Sequence, residues 1–147
     1  MTTKLDLLYA KLVFRLNTEK RMAFARKLAS LLRNDFSLMD ALGRLEMVES
    51  KNGTKPNEPF AIVMREFQKN LERGASFSEA TRGWVPMNET LLLTSGNMSD
   101  LVVALENVVR TVEGTQRIKR AMISAIAYPL FLLALTFGVI IMVGLYL

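Results

Sequence analysis

A chain of 147 residues has room for one compact domain of about 100–120 residues and one further element. Half of its residues are hydrophobic, and it contains neither histidine nor cysteine, which removes the commonest general base, the thiol nucleophile and most transition-metal ligands. The net charge of +5 is localised: residues 1–33 hold eight basic side chains against two acidic ones, a balance of +6, and the remainder balances at −1.

At the start of the chain, Leu5, Leu8, Leu12 and Leu16 recur at steps of three and four with Lys and Arg between them. This is the pattern of an amphipathic helix with the leucines as its apolar face, and residues 1–17 read as a basic N-terminal helix. Lys4, Lys11, Arg15, Lys20 and Arg21 are the candidate partner-binding side chains of the basic stretch. Such a stretch can meet an acidic protein surface or anionic lipid headgroups; a solvated helix face explains the same residues.

Thr18 can cap a second helix whose apolar face is Met22, Ala25, Leu28, Ala29 and Leu32. Asn34 and Asp35, both tolerant of the left-handed conformation, break it. Ser37 caps a third helix with Asp40 three residues on, and Leu38, Ala41, Leu42 and Leu45 form its buried stripe. Residues 50–59 are a loop by composition. Phe60, Val63, Met64, Phe67 and Leu71 make the next helical face, stopped by Gly74. Ser76 and Glu79 form a capping box that opens a short helix through Ala80, ended by Trp84, Val85 and Pro86. A further short helix runs from about Asn88 to Ser95, where Gly96 breaks it. Ser99 or Asp100 starts the last helix, with Leu101, Leu105, Val108 and Val112 on one face. No strand pattern appears, so the fold class is all-α. Leu28, Leu32, Leu42, Phe67, Leu71, Leu105 and Val108 are the expected core.

From Ala121 to Leu147 there are 27 residues without a charge. About 20 apolar residues cross a hydrocarbon core of ~30 Å, so this run is long enough to span a bilayer with some tilt. A signal peptide would be N-terminal and shorter, and a buried core helix would have a polar face. Arg110, Arg117, Lys119 and Arg120 precede the run and nothing charged follows it, which places the preceding residues in the cytoplasm. Residues 18–120 then form a cytoplasmic bundle and 121–147 a transmembrane helix. Arg117, Lys119, Arg120, Tyr128 and Pro129 mark the membrane junction, where the last bundle helix is expected to continue into the span and bend near Pro129. The absence of cysteine is compatible with a reducing compartment.

No glycine-rich phosphate loop is present, and the fourteen carboxylates are scattered, none of them in the apolar run. These features favour neither an enzyme nor an intramembrane aspartyl peptidase, and they imply no cofactor and no metal.

Several segments together resemble a known family. Phe24, Leu28, Ala29, Leu31 and Leu32 are followed by Leu38, Ala41 and Leu42. Then come Leu71-Glu72-Arg73-Gly74-Ala75-Ser76-Phe77-Ser78-Glu79-Ala80, the Trp84-Val85-Pro86 turn, and Ser95-Gly96-Asn97-Met98-Ser99-Asp100-Leu101. Ala125-Ile126-Ala127-Tyr128-Pro129 closes the series inside the apolar run. In this order, over roughly residues 20–147, they resemble the platform domain of type II secretion F and type IV pilus assembly proteins. The family-motif residues are Gly74, Ser76, Gly96, Asn97, Ser99 and Leu101. The resemblance implies a six-helix cytoplasmic bundle, often dimeric, without catalytic activity. It also implies a place in the bacterial inner membrane, linking an assembly ATPase to pilin subunits.

The sequence departs from the family pattern at Asp35, where the family has glycine, at Asn97, where it has glutamate, and at Asp100, where it has a second glycine. Full-length members carry a second domain copy and further membrane helices, so the resemblance implies a truncated or split form here. A tail-anchored adaptor of unrelated function would share the C-terminal span but not the ordered motifs. A membrane-tethered nucleic-acid binder would need basic residues interleaved with aromatics, and residues 1–33 offer only Tyr9, Phe14 and Phe24; no nucleic acid is expected.

Overall fold

The computed structural model describes residues 3–93 and 98–147. Seven helices appear among them: α1 Lys4–Leu16, α2 Thr18–Arg33, α3 Leu38–Glu49, α4 Pro59–Glu72, α5 Phe77–Thr81, α6 Met87–Leu92 and α7 Met98–Tyr146. No strand occurs among the described residues; Arg82 and Val85 form an isolated bridge within a turn. The all-α class and the long apolar C-terminal helix therefore hold. The chain divides into two compact units, Met1–Arg110 and Thr111–Leu147, with α7 contributing to both.

In the first unit α4 is the central element, packed against α3, α1 and α5. Phe60, Ala61, Ile62, Val63, Met64 and Phe67 of α4 are buried, a stretch apolar over more than one face because neighbours cover it on several sides. Phe14, Phe60 and Phe67 are the largest fully buried side chains. The Phe14 ring centroid lies 5.0 Å from that of Phe60, 5.9 Å from Phe67 and 6.0 Å from Phe24. Phe67 in turn meets Phe77 at 6.2 Å and Trp84 at 6.0 Å, both near edge-to-face. Such geometry sets the positive ring edge against the negative face and adds about 0.5–1.5 kcal/mol per pair to the area buried. Of the expected core, Leu28, Leu32, Leu42, Phe67, Leu105 and Val108 are buried, and Leu71 is half-buried.

The helix ends are closed by local chemistry. Helix α2 ends with Asn34 as its cap and Asp35 at φ +60°. The Asp35 amide donates to the Leu32 carbonyl and that of Phe36 to the Leu31 carbonyl, both at 3.2 Å, the paired bonds of a Schellman motif. Helix α4 ends the same way: Gly74, at φ +87°, donates to Leu71 at 2.9 Å and Ala75 donates to Asn70 at 3.1 Å. Ser76 then caps α5. Its hydroxyl accepts from the Glu79 amide at 3.3 Å, and the Glu79 carboxylate accepts from the Ser76 amide at 2.8 Å. The backbone amide and hydroxyl of Ser76 hold the Glu79 carboxyl below the usual carboxylate range. An identical device opens α1, where the Asp6 carboxyl is lowered by the amide and hydroxyl of Thr3.

Two positions thus ask for the same left-handed backbone, and only one of them has glycine. An L side chain in that region costs roughly 1–2 kcal/mol, against about 0.5–1 kcal/mol of chain entropy lost by glycine. Asp35→Gly is therefore expected to raise stability by up to about 1 kcal/mol, and Gly74→Ala to lower it by about 1 kcal/mol. No atom lies within 4 Å of a Cβ added at Gly74, so backbone strain alone sets that cost. Ser76→Ala should cost about 0.5–2 kcal/mol. Because the Glu79 carboxyl is held low in the fold, the box contributes stability above the ordinary carboxylate range and loses it as the pH falls through the lowered value. Melts of the detergent-solubilised protein across acidic pH check all four: the Ser76→Ala deficit should shrink in acid, and a pH-independent deficit would contradict the box.

Candidate functional site

The basic stretch splits into side chains with different surroundings. Asn17 is at once the C-cap of α1 and the N-cap of α2, its side chain accepting from the Lys20 amide at 3.1 Å, so a single residue turns the chain between the two helices. One turn later, Arg21 points back under α1 and is only 4% exposed. Its Nη1 donates to the carbonyl oxygens of Phe14, at 3.0 Å, and Arg15, at 2.7 Å. These are carbonyls of the last turn of α1, which no following amide of that helix can reach, and a cation there also complements the helix dipole. The Arg21 Nε and Nη2 donate to the two carboxylate oxygens of Glu89, on α6, at 2.8 and 2.7 Å. The planar guanidinium thus joins α1, α2 and α6 through four hydrogen bonds, a geometry lysine could not supply. Sequence reading counts Arg21 among the partner-binding cations; the structure corrects this, since its donors are spent in the interior.

Lys4 and Arg15 are exposed. The Lys11 ammonium lies 5.9 Å from the Trp84 ring centroid and packs beside Gly83, and that of Lys20 lies 5.1 Å over the Phe60 ring. The leucine stripe of α1 faces outward. Leu5 is 77% exposed, and Leu8, Leu12 and Leu16 are exposed with it; the face turned inward carries Ala10 and Phe14, both fully buried. Nearly every turn of α1 is apolar on both sides, so periodicity alone could not choose between the faces. Phe14 decides it, because one aromatic ring that completes a cluster of rings buries more surface than a leucine on an open flank.

Arg117, Lys119 and Arg120 are exposed on α7, followed by an apolar run whose side chains are unburied within the chain, Tyr128 at 69% among them. At 1.5 Å per residue, the helical part of this run, from Ala121 to Tyr146, extends about 40 Å, more than the ~30 Å of a hydrocarbon core. The two aliphatic hydroxyls within this run donate to their own helix: Ser124 to the Ala121 carbonyl at 2.9 Å and Thr136 to Leu132 at 2.8 Å. Polar groups satisfied internally are what a lipid environment requires. Helix α7 runs through Pro129, which has no amide hydrogen for the Ala125 carbonyl.

Of the family-motif residues, Gly74 and Ser76 sit in the two caps already described, Leu101 is buried, and Ser99 is exposed in the first turn of α7. Gly96 and Asn97 lie outside the described residues; the short helix expected to reach Ser95 ends at Leu92, with Leu93 as its cap. Glu89 is a residue that sequence reading passed over. It stands one helical turn before Leu93, and the two share the buried face of this short segment. Beneath the Arg21–Glu89 pair lies a hollow of about 20 Å³ among Phe14, Met22, Phe67 and Leu105, enough for a single water and not for a substrate.

The family model for type II secretion system protein F matches residues 24–147. No curated protein and no solved structure matches the chain.

Removing one partner of a buried ion pair leaves the other uncompensated, at a cost of about 3–5 kcal/mol. Glu89→Ala should therefore lower stability by about that amount, whereas Arg21→Met combined with Glu89→Leu should cost less than Glu89→Ala alone. Denaturant melts of the three proteins in detergent check this; a Glu89→Ala melt indistinguishable from the parent would contradict the clamp.

Proposed function

The chain belongs to the type II secretion system protein F family, and from that membership we propose that it is the inner-membrane platform of a type II secretion or type IV pilus machine. In this role it links the cytoplasmic assembly ATPase to pilin subunits held in the bilayer, and it works as a homo-oligomer. The observation that carries the reading is a family match running from the helical bundle through the whole apolar helix, residues 24–147. The platform family is not a family of enzymes, and binding surfaces with a membrane helix are the means such a role calls for.

The basic residues Arg117, Lys119 and Arg120 ahead of the apolar run support an orientation with residues 1–120 in the cytoplasm and 121–147 in the bilayer. Their long stems can reach the headgroups while the chain stays helical. Helical assignment without a break from Met98 to Tyr146 supports a mechanical part for α7, in which force on the bundle is passed along the helix to the span.

Because the chain has no cysteine, single cysteines report topology cleanly. In spheroplasts, Ser30→Cys should react with a membrane-impermeant maleimide only after the inner membrane is opened, and Leu147→Cys should react without opening. The reverse pattern would invert the orientation. A flexible Gly-Ser stretch inserted between Arg120 and Ala121 should leave expression, membrane insertion and co-purification with the ATPase intact and abolish pilus or substrate assembly. Full assembly with that insert would remove mechanical coupling from the account.

A further inference from the structure

The fold leaves the outward face of α1 uncovered. Leu5, Leu8, Tyr9, Leu12 and Leu16 are 57–77% exposed, and their spacing sets them in one stripe along a helix of 13 residues. Clamped by Phe14 and Arg21 on its opposite side, the helix cannot turn this stripe inward without emptying the aromatic cluster. Three cations immediately precede three of these leucines, Lys4 before Leu5, Lys11 before Leu12 and Arg15 before Leu16, which places them in a row along one flank of the stripe. The acid of this helix, Asp6, is already engaged by Thr3 at the cap. An apolar stripe bordered by long cationic side chains is the pattern of a helix lying in a membrane interface, leucines in the acyl boundary and cations at the phosphates.

We propose that α1 is a membrane-surface helix, its Leu5–Leu16 stripe inserted beneath anionic phospholipid headgroups that Lys4 and Arg15 contact. A second copy of the chain fits the face less well: two such stripes laid together bring like-charged flanks to each other, with no uncommitted acid on α1 to answer them. The family match begins at residue 24, so this helix lies outside the matched region. The proposal rests on reading α7 as the span, and resistance of the same proteins to alkaline extraction tests that reading separately.

The full chain is reconstituted in phosphatidylcholine vesicles with or without phosphatidylglycerol, carrying an environment-sensitive fluorophore on Leu8→Cys, Leu12→Cys or, as reference, Ser30→Cys. In vesicles containing phosphatidylglycerol, labels at positions 8 and 12 should be blue-shifted and quenched by brominated lipid, and the label at position 30 should stay open to aqueous iodide. Each cation removed should weaken surface partition about fivefold, so Lys4→Glu with Arg15→Glu should return the labels at 8 and 12 to water. Labels at positions 8 and 12 that remain as open to iodide as that at position 30, in an extraction-resistant protein, would overturn the proposal. So would labels shielded from iodide yet untouched by brominated lipid, with shielding that rises with protein density, since that pattern marks a protein partner or a second copy.

Discussion

A charge in the interior of a small helical domain must be answered from all sides, and Arg21, on α2, is answered by two other elements at once. Its fork closes on Glu89 of α6, and its remaining nitrogen takes the free carbonyls at the end of α1. Arginine and glutamate gain little net stability by being buried together compared with a well-packed apolar pair. What they contribute is register: α1 can dock only where its last carbonyls meet the guanidinium, and that position delivers Phe14 to the rings of Phe24, Phe60 and Phe67. The identity of the outward face follows. With Ala10 and Phe14 committed, the leucines at 5, 8, 12 and 16 have nowhere to go but out.

The second unit answers a different constraint. Where water is excluded, an unsatisfied backbone or hydroxyl group costs several kcal/mol, so the span must be helical and its few hydroxyls must bond within it. The bonds of Ser124 and Thr136 to preceding carbonyls meet that demand. Bases collect on the residues before the run and are absent from it, as the electrostatics of a bilayer dictate. Ion pairs in the bundle have lesser tasks: Arg65 holds Glu46 across α3 and α4, and Arg33 pairs with Glu106 between α2 and α7 at partly exposed sites. Pairs so exposed are each worth at most about 1 kcal/mol.

How much of this the sequence disclosed depended on whether local pattern had a single answer. Helix α2 has one apolar face between lysines and arginines, so Met22, Ala25, Leu28, Ala29 and Leu32 could be read directly, and all five are buried. The turns after α2 and α4 were legible because Asp35 and Gly74 are residues that accept left-handed backbone, and both adopt it. Helix α1 offered two apolar faces of similar strength, and nothing local said that Ala10 and Phe14, not the longer row of leucines, turn inward. Arg21 read as a surface charge because its partner lies 68 residues away, and no local rule links a basic residue in α2 to an acid in α6. The membrane run, defined by composition alone, was the plainest element of all.

The account turns on which face of α1 the clamp holds inward. A nitroxide scan along residues 3–17 of the otherwise cysteine-free chain in detergent measures this directly, through side-chain mobility and collision with a water-soluble relaxation agent. The structure predicts immobilised, inaccessible labels at positions 10 and 14 and markedly more mobile ones at 5, 8, 12 and 16. In Glu89→Ala, where the clamp is broken, that contrast should collapse. Immobilisation at 5, 8, 12 and 16 with freedom at 10 and 14 would show that the leucine face is the buried one, and the account of Arg21, Phe14 and the exposed stripe would fall together.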